Sequence, residues 1–128
     1  LEIRNANYLS EEYFHFLSAA GLIPVLPEKQ YMPPITEVYQ RFKPLLGDKL
    51  VFRLMGGDRR EIEQLSDKKW DRLVMEKPNL QEISAMLIDA ALQADVSVNV
   101  NNHFEGSAPL TIRRLQAAIQ SNRAARGY

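Results

Sequence analysis

The sequence predicts an α/β fold of the (β/α)8 TIM-barrel type, with these residues supplying about half of the barrel. Three observations predict it. Short apolar runs alternate with helical patterns four times along the 128 residues. Several of the runs carry a charge or an amide at every second place, which makes one strand face polar. The best-defined run, Val96–Val100, leads straight into a polar segment broken by Gly106 and then into a new helix. A doubly wound sheet is covered by helices on both faces and its strands are apolar throughout. Strands polar on one face suit a barrel lumen, with chemistry gathered at their carboxyl ends.

In chain order, Leu1–Asn5 alternates Leu and Ile with Glu and Arg, so Glu2 and Arg4 share a face of the first strand. Ser10 is a good N-cap, and Glu11 and Glu12 follow where the helix dipole favours anions. That helix carries Tyr13, Phe16, Leu17 and Ala20 inward and stops at Gly21. Leu22–Leu26 reads as the second strand, closed by Pro27, and Pro24 marks it as an edge or irregular start. After a loop over Lys29–Pro34, the pattern from Thr36 to about Leu46 is helical, with Val38, Tyr39, Phe42 and Leu45 inward and Pro44 weakening its end.

Lys49–Met55 is the third strand, and Gly56-Gly57-Asp58 breaks it. A short helix over Glu61–Lys69 precedes a connection through Trp70 to Pro78. Asn79 and Glu82 form a capping-box pattern that opens a helix to about Gln93, with Ile83, Met86, Leu87, Ala90 and Ala91 inward. The fourth strand follows, and Pro109 suits the first turn of a last helix reaching about Ala124. Trp70, Tyr13, Phe16 and Tyr39 are most simply core aromatics.

Residues 1–128 read as one domain. Sixteen basic residues balance sixteen acidic ones, so no overall field favours nucleic acid or an anionic membrane. Without cysteine the chain has no disulfide, thiol nucleophile or thiolate metal site, and a cytoplasmic home fits. No apolar run is long enough to span a bilayer. The chain opens in a strand-like segment without an initiator Met, and so reads as a piece of something longer. A half barrel alone exposes two sheet edges and its polar inner face. The expected partner is therefore the rest of the barrel or a second copy in a homodimer.

Candidate site residues gather at the strand ends. His103 and Glu105 are the candidate catalytic pair, a general acid or base with its partner carboxylate. The plainer alternative has His103 donating to a loop carbonyl and Glu105 capping the next helix or pairing with an arginine. Arg4 and Arg53 suit the phosphate or carboxylate of a small anionic ligand, with Glu2 pairing them or holding them aimed. Asn101 and Asn102 are candidates for orienting substrate, though asparagine also serves turns. Gly56-Gly57-Asp58 lacks the spacing of a nucleotide fingerprint and reads as a strand-end loop. Arg113, Arg114, Arg123 and Arg126 make the last helix basic, which leaves nucleic acid as a less favoured partner. No metal-ligand spacing is present, and no cofactor is indicated.

With these motifs in view, the chain resembles the YecE-like family, domain of unknown function number 72. The resemblance rests on Leu1-Glu-Ile-Arg-Asn5, Val51-Phe-Arg-Leu-Met-Gly56, Trp70 and above all Asn101-Asn-His-Phe-Glu-Gly-Ser-Ala-Pro109. It covers nearly the whole chain. It implies a TIM barrel, with this chain as the C-terminal half. The family typically places a His before the glycine of its Arg-Leu-x-Gly segment, where this chain has Met55. The Asp that often closes the preceding strand has no counterpart near Pro27-Glu28.

Overall fold

A computed structural model describes residues 1–127. Its frame is a parallel three-stranded sheet in the order β1 (Val25–Lys29), β2 (Lys49–Gly56) and β3 (Asp95–Val100). Helix α1 (Glu11–Ala20) precedes β1, and α2 (Ile35–Phe42) crosses from β1 to β2. Helices α3 (Arg59–Ser66) and α4 (Leu80–Ala91) lie between β2 and β3. A single turn, α5 (Asn102–Glu105), and a long α6 (Ala108–Ala125) follow β3.

The period-two pattern of the strands decides which side the helices take. Leu26, Leu50, Phe52 and Leu54 are buried against α2 and α4, with Ile35, Phe42, Ile83 and Leu87 in the same core. Val96, Val98 and Val100 pack against that core from β3. The opposite face is mixed: Val51 and Met55 share it with Arg53, in register with Asn99, and with Lys49, in register with Asp95. Lys49, Asp95, Ser97 and Asn99 are exposed there.

The four expected strands become three. Leu1–Asn5 touches β1 at a single bridge, Glu2 against Val25, where the Val25 N–H donates to the Leu1 carbonyl at 2.9 Å. Pro27 explains why the pairing stops. Backbone groups alternate sides along a strand, so the next donor on that edge after Val25 belongs to residue 27, and proline has no N–H. Pro27 therefore lies inside β1 and does not close it, and Leu22 and Ile23 stay outside the strand, largely exposed.

Three local expectations also change. In α1 the buried residues are Phe14 and Leu17, while Phe16 is 58% exposed. Phe14 stacks on Phe42 at 4.6 Å between ring centroids, and this contact turns the helix face. Asn79 makes no side-chain cap to α4, and Ala91 is exposed. The expected cap at Ser10 forms, and Asp58 and Ser107 cap α3 and α6 as well, each accepting from the first turn of its helix. Helix α2 gives way at Phe42 to a tight turn over Lys43–Leu45 that contains Pro44. Among the described residues no helix is long and apolar enough to cross a membrane.

Candidate functional site

The site is built where β3 ends. Asn101 caps α5, its Oδ1 accepting from the His103 N–H at 2.9 Å and lying 2.8 Å from His103 Nδ1. The backbone N–H can only donate, which identifies the amide atom facing it as oxygen. The same oxygen then requires a proton on Nδ1. Nε2 lies 3.3 Å from Glu63 Oε1 on α3, and it can bond that carboxylate only as a second N–H donor. Arg59, one turn earlier on α3, donates Nε–H to that carboxylate at 3.0 Å. Hydrogen bonds from Arg59 and then His103 hold the Glu63 carboxyl below its ordinary range.

Two backbone features bring α5 into place. Gly56, the last residue of β2, has φ +91°, and a Cβ there would stand 2.4 Å from the His103 carbonyl oxygen. Glycine thus lets α5 sit directly on the strand end. Trp70 lies with its ring 4.8 Å from the imidazole, at φ 55°, a region uncomfortable for a bulky side chain. It is half-buried over His103 and is no ordinary core aromatic.

Glu105 does not pair with His103. Its side chain is fully buried and faces α6, accepting from Thr111 Oγ1 at 2.6 Å, from the Lys77 N–H at 2.7 Å and from Arg114. Its carbonyl accepts from the N–H groups of Val74 and Met75. Gly106 makes room for that loop, since a Cβ there would meet the Arg72 carbonyl at 2.7 Å. This arrangement matches the plainer alternative, a carboxylate paired with an arginine. It anchors the 72–77 connection to α5 and α6.

The remaining candidates divide. Glu2 Oε2 accepts from Arg53 at 3.1 Å and from Arg4 at 3.3 Å, so these three meet on the uncovered sheet face. Asn102 turns away to accept from the Ala108 N–H at 2.8 Å, which is turn chemistry. No hydrogen bond joins the Glu2 cluster to His103 among the described residues. Arg114 is drawn inward to Glu105, which removes one member of the basic α6 stripe. Among the described residues no three His, Asp or Glu side chains converge where a metal would sit. Sequence reasoning missed Glu63, whose only signal is its i,i+4 spacing from Arg59.

Residues 1–127 match the family described as a protein of unknown function, DUF72. The chain belongs to this family. Two solved structures share the fold of this DUF72 chain. A DUF72 family protein from Thermotoga maritima superposes with a TM-score of 0.65 at 18% identity, covering 91% of this chain and 44% of that one. A DUF72 family protein from Enterococcus faecalis gives 0.63 at 16% identity, covering 93% and 46%. This DUF72 chain thus spans less than half the length of either structure. None of the curated proteins matches it.

Proposed function

We propose that this chain is the C-terminal half of a (β/α)8 barrel enzyme that moves a proton on a small anionic substrate at the strand ends. The observation that carries the reading is the imidazole of His103, fixed at Nδ1 by Asn101 and set at Nε2 against an ionised carboxylate. A histidine held in this way has Nδ1 committed to orientation, and its Nε2 proton lies within reach of the carboxylate that would exchange it. In this reading Glu63 takes the partner role expected of Glu105, and Glu105 positions the turn that carries His103. Arg53 and Arg4 receive the anionic group, with Glu2 keeping their guanidinium groups aimed.

Parallel strands with helices on one face and charges on the other support the barrel, as do fold neighbours of about twice the length. The uncovered face and the open edge of β3 would be completed by the rest of the barrel or by a second copy in a homodimer. A cysteine-free chain suits the cytoplasm.

The test is a turnover screen of the intact protein against phosphate- and carboxylate-bearing small molecules. With a substrate found, His103→Gln should lower kcat by about 10²- to 10⁴-fold. Arg53→Ala should raise KM with a smaller effect on kcat. Turnover unchanged in His103→Gln would remove the histidine from the mechanism.

A further inference from the structure

A cavity of about 390 Å³ opens at the carboxyl ends of β1 and β2. Glu28, Lys29, Gly57, Lys77 and Phe104 are among its walls. Glu28 stands in register with Leu54, on the sheet face that the helices cover, opposite to Arg53. One of its oxygens accepts from the Ile35 N–H at 3.1 Å, and the other makes no hydrogen bond among the described residues. Burial pushes the Glu28 carboxyl up, as fits a group short of partners.

Lys77 is the unusual member. The residue is half-buried, and among the described residues its ammonium finds only the Met75 thioether, at 3.8 Å, and lies 5.8 Å from the centre of the Phe104 ring. Among the described residues neither Lys77 nor Lys29 forms an ion pair. An ammonium has three donors and seeks oxygen, and sulfur is a weak substitute. Lys77 acts on Glu28 through space without bonding to it, which leaves room between the two charges. A Cβ at Gly57 would meet nothing within 4 Å, so that wall is open as well.

We propose that this cavity binds a small molecule bearing one oxyanion, taken by Lys77 and Lys29, and one hydroxyl or amino group, taken by the free oxygen of Glu28. Phe104 forms an apolar floor that keeps water from the ion pair. Phosphate and carboxylate ligands share this chemistry. The site stands independently of the proton-transfer reading, because it is measured by binding and uses none of its residues.

The experiment is an amide NMR titration of the intact protein with glycerol 3-phosphate and with glycerate, with inorganic phosphate and glycerol as single-group controls. Saturable shifts at Gly56, Gly57 and Lys77 with one of the two-group probes are expected, and the responding probe identifies the oxyanion. Each control should bind about tenfold more weakly or worse. Lys77→Met should weaken binding about tenfold or more, the loss of one charge-assisted contact. The backbone bond from residue 77 to Glu105 is kept in that variant, and Lys29→Met supplies a second one should Lys77→Met fail to fold. The proposal is overturned if no probe gives saturable shifts, if the shifts map to His103 and Arg53, or if both variants bind like the wild type. Inorganic phosphate binding as tightly as glycerol 3-phosphate would overturn the role of Glu28.

Discussion

Glu105 and Glu63 sit in opposite surroundings, although each is a carboxylate close to His103 in sequence or in space. Glu105, two residues away, is fully buried and accepts from three donors. Glu63, forty residues away, is 22% exposed and faces the imidazole. Helix geometry explains the difference. Residues two apart on a helical turn point to nearly opposite sides, so once His103 faces α3, Glu105 must face α6. Closeness in sequence marked the structural carboxylate, and the chemically placed one came from another element.

The largest effect should come from breaking the buried side of that comparison. Glu105→Ala strands the Arg114 guanidinium, the Thr111 hydroxyl and the Lys77 N–H together, and should cost about 3–5 kcal/mol in urea unfolding. Gly56→Ala should come next, at about 3 kcal/mol, because a positive φ and a collision with the His103 carbonyl both oppose it. The same variant should move the His103 ring resonances, since α5 can no longer seat on β2. Glu2→Ala should cost about 2 kcal/mol, below the figure for a fully buried pair. The discount reflects Arg53 and Arg4 side chains that are 33% and 50% exposed.

Asp89 offers a third carboxylate, intermediate between the two. Lys43 at 2.7 Å and then the Tyr39 hydroxyl at 2.6 Å hold its carboxyl below the usual range. Its contribution is therefore complete above the unfolded-state pKa and is lost as pH falls through the lowered folded value. Asp89→Asn should cost about 1 kcal/mol or less near neutrality, where Lys43 is still about one-third exposed. The difference between variant and wild type should vanish in strong acid, as pH-dependent thermal unfolding would show.

Much of the frame was readable from the residues. The alternation of Val96, Val98 and Val100 marks β3 and its buried face, and Ser10 and Gly21 bound α1. The sequence also places Glu2, Arg4 and Arg53 on one face, and they do meet. What local pattern could not supply was partner choice. Tyr13, Phe14 and Phe16 put aromatic rings on several sides of α1, and only the contact with Phe42 selects Phe14. Pro27 looks like a strand end from its neighbours, yet it sits within an edge strand and cuts off pairing with Leu1–Asn5. Glu63 lies among Glu61 and Arg59 on a polar helix, where nothing local distinguishes it from a solvated charge.

The most direct measurement is the unfolding midpoint of Glu105→Gln beside that of Glu63→Gln under the same conditions. Glu105→Gln should fall well below wild type, because Arg114 loses its buried counter-charge, while Glu63→Gln should lose far less and shift the His103 ring resonances. Equal losses in the two variants, or the larger loss in Glu63→Gln, would contradict the division of roles between anchor and proton partner.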